Sequence, residues 1–157
     1  MGFYEAKAHL EACGVSERIM EFETSSATVE LAANAIGCIP ARIAKTLAFW
    51  VDETPILIVA AGDAKVASGP FKAFFKTKAT MLKPDELPLH VGHEMGGVCP
   101  FGVKDGVKIY LDISLKRFES IFPACGSAQS AVEFNPEELP KYAHNATWID
   151  VCKAWER

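Results

Sequence analysis

From Phe3 to Cys13 the apolar residues Phe3, Ala6, Leu10 and Cys13 recur every three or four positions, and Gly14 follows them. That spacing lines one side of an α-helix, and a glycine just beyond it is a common stop. Ser16 is placed to cap a short second helix carrying Ile19, Met20 and Phe22. A third helix is expected from about Thr28, capped near Ser26, through Leu31, Ala32 and Ala35 to Gly37, with a polar cap at its start and a glycine to close it. The period then shortens. Ile43, Lys45, Leu47, Phe49 and Val51 alternate with Ala44, Thr46, Ala48 and Trp50, the two-residue repeat of a β-strand. Asp52-Glu53-Thr54-Pro55 reads as a turn and Ile56 to Ala61 as a second, almost wholly apolar strand, which together predict a hairpin.

Ser68-Gly69-Pro70 opens a helix through Phe71, Phe74 and Phe75, with the proline tolerated in its first turn. Thr80 to Leu82 is a brief strand, and Pro84-Asp85-Glu86-Leu87 begins a short helix. Residues 91–102 form a glycine-rich loop and Val107 to Leu111 a strand; Ile121-Phe122 and Val132-Phe134 predict two more strands around Gly126-Ser127. Asn135 caps a last helix begun by Pro136-Glu137-Glu138-Leu139. Strands joined by short turns, with helices mainly towards the ends, predict an α+β fold built on a mixed, largely antiparallel sheet. No repeat or linker interrupts the chain, so residues 1–157 are expected to form one domain, with an N-terminal helical segment over about 1–24 and a core over about 25–152.

Half the residues are apolar, enough to build a core, and no run approaches the roughly 20 apolar residues of a membrane span. Glu5, Lys7, His9 and Glu11 break the window where a signal peptide would place its apolar stretch. Five cysteines, an odd number, widely spaced and without a C-x-x-C pair, argue against a disulfide framework or a zinc knuckle. A cytoplasmic protein with reduced thiols is expected. The net charge of −4 speaks against a nucleic-acid partner, but its distribution is uneven. Between Ala64 and Pro84 lie Lys65, Lys72, Lys76, Lys78 and Lys83 with no acid, whereas residues 1–38 carry six glutamates against Lys7 and Arg18. Such a strip is either a solvated helix face or a local grip on a phosphate backbone.

Two features stand out as candidate chemistry. Lys45 shares its strand face with Ile43, Leu47, Phe49 and Val51, so its charge is costly unless it snorkels to water or reaches a ligand in an opening of the core. The segment Gly92 to Gly102 has four glycines in eleven residues and Pro100 to stiffen it. Backbone of that composition can approach a ligand closely and present main-chain N–H groups, or it is an ordinary long connection. It matches neither a P-loop nor a dinucleotide fingerprint. His90, His93 and Glu94 are in the order H-x-x-H-E, not that of a helical zinc protease, and no third ligand follows a known pattern; no metal and no cofactor is expected. Cys99 is either a nucleophile with His93 or His144 as base, or a small packed thiol.

Taken in order, Ile43-Ala44-Lys45-Thr46-Leu47, Ala60-Ala61-Gly62-Asp63, Gly92-His93-Glu94 leading into Gly96-Gly97-Val98-Cys99-Pro100-Phe101-Gly102, Tyr110-Leu111-Asp112, and Gly126-Ser127 before Pro136-Glu137-Glu138-Leu139 resemble the YbaK family over about residues 25–140. These are free-standing relatives of the editing domain inserted in bacterial prolyl-tRNA synthetase. The resemblance implies that family's barrel-like α+β fold and hydrolysis of the ester between an amino acid and the 3′ end of tRNA. It implies a catalytic role for Lys45 and for the loop Gly96, Gly97 and Val98. Substrate contacts are expected at His93, Cys99, Pro100, Phe101, Gly102, Gly126 and Ser127, and tRNA contacts at Lys72, Lys76 and Lys78. Many members carry Ser where this chain has Cys99. The implied partners are an aminoacyl-tRNA at its CCA end and an aminoacyl-tRNA synthetase. The implied substrates are tRNAs wrongly charged with Ser, Thr, Ala or Cys. Two other classes stay open on the residues alone: a cysteine-dependent hydrolase of small molecules using Cys99, and a non-catalytic module that binds tRNA or protein.

Overall fold

The computed structural model describes residues 2–157. Helix α1 (Phe3–Ala12) buries Ala6 and Leu10, as the stripe predicts. The expected second helix is absent. Ser16–Arg18 make a single 3₁₀ turn, and Ile19–Glu21 form a strand, β1. Over so few residues the apolar pattern does not separate helix from strand, and pairing with a distant strand decides the matter. Helix α2 (Val29–Ile36) is capped by Thr28, whose side chain accepts from the Leu31 amide, and is closed by Gly37 in the left-handed conformation. The cap is therefore Thr28 and not Ser26.

Strand β2 (Ile43–Val51) turns at Asp52-Glu53, both at positive φ, into β3 (Thr54–Ala61). The turn is two residues shorter than expected, and Thr54 and Pro55 already pair with Val51 and Trp50. Next come β4 (Lys65–Val66), α3 (Ser68–Phe75), β5 (Thr80–Met81), α4 (Glu86–His90) and β6 (Lys108–Asp112). They are followed by β7 (Phe122–Pro123), β8 (Ser130–Val132), α5 (Leu139–Tyr142), β9 (Thr147–Ile149) and β10 (Cys152–Lys153). Asn135 and Glu138 form a reciprocal capping box ahead of α5.

The main sheet runs β5-β2-β3-β6-β9. Its longest pairing is the antiparallel β2–β3 hairpin, β5 joins β2 antiparallel, and β3–β6 and β6–β9 are parallel. Small antiparallel pairs β1–β8 and β4–β10 close its flanks. The main sheet is mixed, and with the two small pairs the antiparallel pairings outnumber the parallel ones in the fold as a whole, with helices packed around them. Residues Ile56 to Ala61 of β3 are all buried, as a central strand covered on both faces requires. They anchor the main core with Phe71, Phe101, Leu111 and Phe134, while Ala32, Ala33, Ile43 and Phe122 make a second, smaller cluster.

Candidate functional site

The pairing of β2 leaves a gap. β3 occupies one edge along nearly its whole length, so β7 and β5 share the other, β7 at Ile43–Ala44 and β5 at Phe49–Trp50. The Leu82 amide extends the second contact to the Ala48 carbonyl. Between them, residues 45–47 have no strand beside them on that edge. A cavity of about 500 Å³ opens there, walled by β2, α2, β5, β7 and the segment 96–98. Its lining is mostly apolar, with Val29, Ala32, Leu82, Leu87, Phe122 and Ala131 among the contributors. Met81 and Met95 stand at its rim, 53% and 68% exposed.

Lys45 enters this cavity from β2. Its Nζ donates to the Gly62 carbonyl at 3.4 Å. Burial pulls its pKa below the ordinary lysine value, while the Asp63 carboxylate, among other groups, pulls it back. Asp63 is itself held by a two-pronged pair with Arg117, at 2.6 and 2.9 Å, which lowers its pKa. Gly62 sits where residue 40 crosses: a Cβ there would lie 2.0 Å from the Pro40 carbonyl oxygen. Only glycine permits this approach, and the approach fixes the carbonyl that holds Lys45.

Gly96 and Val98 line the same cavity as Lys45. Gly96 has φ +92° and faces Ala27 and Ala128, whose methyls would meet any Cβ at 3.2 and 3.4 Å. The Gly97 amide is already committed, donating to the Glu94 carbonyl at 3.0 Å. Gly97 backs onto the main chain of Gly126 and Ser127, where a Cβ would come within 2.7 Å of three backbone atoms. Among the described residues the amides of Gly96 and Val98 make no hydrogen bond. The geometry thus leaves Gly96 and Val98 as free main-chain donors and gives Gly97 the task of seating the loop.

Several of the remaining expected site residues lie behind this wall. Cys99, Phe101 and His93 are fully buried, and Pro100 is buried too. His93 Nε2 bonds the Phe101 carbonyl at 2.7 Å and lies 3.5 Å from Cys99 Sγ, so these residues lock the loop from inside without lining the cavity. Burial raises the Cys99 pKa strongly and lowers that of His93, which makes Cys99 a packed thiol without a nucleophile's exposure. Gly102 abuts the Glu5 carbonyl and Gly126 abuts Gly2, fastening α1 to the loop. Ser127 reaches the cavity indirectly, through a 2.7 Å hydrogen bond to Ser130. Lys72, Lys76 and Lys78 are exposed along and just after α3. His90 stacks edge-on against Trp50, apart from the buried His93, and among the described residues no group of three His, Cys, Asp or Glu side chains is suited to a metal ion. Sequence reasoning missed Ser26, Thr46, Met81 and Met95 as lining residues, because nothing in the local pattern places 25–28 and 80–96 around one hollow.

Comparison with known proteins identifies the family. Residues 23–142 match the model of the aminoacyl-tRNA editing domain. The chain is 49% identical over 157 residues to "Uncharacterized protein YwhH" of Bacillus subtilis (strain 168), covering 99% of this chain and all of that protein. It is 27% identical over 114 residues to the proline–tRNA ligase of Geobacillus sp. (strain WCH70), covering 70% of this chain but only a fifth of that enzyme. A solved structure described as a candidate trans-editing enzyme for prolyl-tRNA synthetase superposes with a TM-score of 0.87 at 24% identity, over 97% of both chains. No helix among the described residues is long and apolar enough to cross a membrane. With three quarters of its length inside the family's pattern, the chain belongs to the aminoacyl-tRNA editing domain family.

Proposed function

We propose that this protein is an aminoacyl-tRNA deacylase that acts in trans on tRNA wrongly charged with a small amino acid, Ser, Thr, Ala or Cys. The observation that carries the reading is the single cavity shared by Lys45, Gly96 and Val98. An aminoacyl ester is already reactive, so holding its carbonyl and a water in attack geometry removes much of the barrier. In the proposed step water adds to the ester carbonyl carbon, and the oxygen that gains charge accepts hydrogen bonds from the Gly96 and Val98 amides. The bond from the acyl carbon to the ribose oxygen then breaks, that oxygen takes the proton, and free amino acid and tRNA leave. The Lys45 ammonium binds phosphate or ribose oxygens of the terminal adenosine. No metal and no side-chain nucleophile takes part.

Substrate choice rests on size. A synthetase site rejects a smaller amino acid weakly, since one methylene is worth only ~1–3 kcal/mol. A second pocket floored by Ala27, Ala32, Ala44 and Ala48 takes what the first one mistakenly accepted, and proline's ring is to be excluded. Lys72, Lys76 and Lys78 contact the tRNA backbone, and a synthetase supplies the wrongly charged tRNA.

Single-turnover deacylation tests this reading. Lys45→Ala is expected to slow release by about 10²-fold or more, the scale of misplacing the reacting ester by about an ångström, with the circular dichroism spectrum unchanged. Cys99→Ala is expected to retain turnover. Full activity in Lys45→Ala, or abolition by Cys99→Ala in a folded protein, overturns it.

A further inference from the structure

Among the described residues the Gly62 carbonyl is the hydrogen-bond acceptor of Lys45, and at 3.4 Å that bond is long, too long to fix an ammonium unaided. Asp63, the next residue, adds a carboxylate whose charge acts on Lys45. Asp63 does not stand by itself. Arg117 grips both its oxygens at 2.6 and 2.9 Å, and Arg117 Nε donates to the Ser114 carbonyl at 2.9 Å. The Ser114 hydroxyl in turn accepts from the Ala61 amide at 3.1 Å. The turn Ile113–Arg117 therefore holds the exit of β3 on either side of Gly62. Two aromatic rings also pack on the guanidinium, Phe118 and Trp155, each with its centre 4.9 Å away. Trp155 is fixed by its own Nε1, which donates to the Cys152 carbonyl at 3.3 Å. Arg157 packs on the same ring at 4.7 Å and is itself forked onto Asp150. Ala154 turns the chain back to this position at φ +69°, a conformation that costs energy for any residue with a Cβ. Trp155 thus braces Arg117 from outside residues 23–142, the part that the family model matches. A lone surface ion pair adds little to stability; one that is forked, stacked and tied to the backbone is a piece of fixed geometry.

We propose that Arg117 is a positioning residue for the deacylation site: forked onto Asp63 and stacked on Trp155, it holds the Gly62 carbonyl and the Asp63 carboxylate where together they orient the Lys45 ammonium. The proposal rests on the deacylase reading and supplies the support behind its lysine. Burial lowers the Lys45 pKa; of the titratable groups around it, Cys152, Asp63 and Glu30 raise it and Lys65 lowers it. Cys152 is kept a neutral thiol by its own burial, which leaves two carboxylates. Glu30 is exposed on α2, whereas Asp63 is locked in place by Arg117. Arg117 acts on Lys45 in two opposite ways. As a cation it repels the ammonium; as the clamp on Asp63 it keeps the attracting carboxylate at hand. A positioning role requires the second effect to be the larger. It also requires the planar fork and the stacking surface of arginine, which lysine lacks.

The test is an NMR titration of the Lys45 side chain in the isotope-labelled full chain, with Lys45→Met to assign the signal, beside single-turnover deacylation and melting curves. Wild type is compared with Arg117→Gln, Arg117→Lys and Trp155→Leu. Arg117→Gln is expected to lower the titration midpoint of Lys45, although it removes a neighbouring cation. It is also expected to slow the single-turnover rate at saturating tRNA by about tenfold or more, as misplacement at a reacting centre does. Arg117→Lys should lower the midpoint too, because it keeps the charge without the fork. Trp155→Leu should shift it in the same direction, and decides the matter if the Arg117 variants do not fold. A midpoint that rises, whether from the lost cation or from an Asp63 carboxylate turning towards Lys45, would overturn the proposal. So would a midpoint that does not move, a wild-type rate in Arg117→Gln, or an Arg117→Lys protein that behaves as the wild type. The titration needs no tRNA and reads the network by itself. A wild type that releases no amino acid from any charged tRNA would instead remove the deacylase reading, and the purpose of the network with it.

Discussion

Burial disfavours the charged form of Lys45, so the ammonium is kept at some cost to the fold. Two expectations follow at this residue. Lys45→Met should lose deacylation while leaving the melting temperature unchanged or higher; a marked drop would mean that the lysine is structural. The ammonium is present below the folded pKa and is lost as pH rises through it. Catalysis above the spontaneous rate should therefore fade at a pH below the ordinary lysine value of 10.5, and a rate still rising past that value would contradict the assignment. His93 gives the opposite kind of pH dependence, in stability. Its folded pKa is lowered from 6.5 by burial, and its Nδ1 has no partner. The unfolded chain thus binds the proton more readily, and the His93 contribution is fully present above about pH 6.5 and is lost as pH falls towards the folded pKa. His93→Gln should flatten the fall in melting temperature on acidification; an equal slope in both proteins would show that other groups cause it.

At the scale of elements, the glycine segment works by close approach of backbones. Gly97→Ala should collide with Ser127, cost roughly 1–3 kcal/mol as overpacking does, and lower deacylation; wild-type stability would mean that the loop yields freely. The basic strip runs along and just past α3, with Lys72 inside the helix and Lys76 at its C-cap. Neutralising Lys72, Lys76 and Lys78 together should weaken tRNA association and reduce its salt dependence, by up to about 0.9 in slope for each phosphate that is no longer neutralised. An unaltered slope would make the strip a solvated face. The long elements were legible in the sequence because their apolar periods run for eight residues or more, as in α1, β2, β3 and α3. β1, β4, β9 and β10 were not, since two- or three-residue strands are defined by their partners and have no period of their own. The start of α2 shows the same limit: a serine just ahead of a helix reads as its cap, and only the observed bond between Thr28 and Leu31 gives that role to the residue two positions on.

Across the whole molecule, the cavity exists because the sheet is incomplete. β7 and β5 take the ends of one edge of β2 and leave its middle open, while α1, through Gly2 and the Glu5 carbonyl, braces Gly126 and Gly102 behind the glycine loop. Lys45 and the loop were legible as separate anomalies, one a charge on an apolar strand face and the other a glycine cluster. Their meeting was implied only by the family resemblance, because it depends on how β2, α2 and residues 96–98 close around the gap. The most direct measurement is amino-acid release by the purified full chain, with chelator present, from tRNAs charged with Ser, Thr, Ala, Cys and Pro. Release of small amino acids well above the spontaneous rate, with Pro-tRNA spared, is the predicted result. Hydrolysis of none of the five, or of Pro-tRNA as fast as the others, would contradict the account.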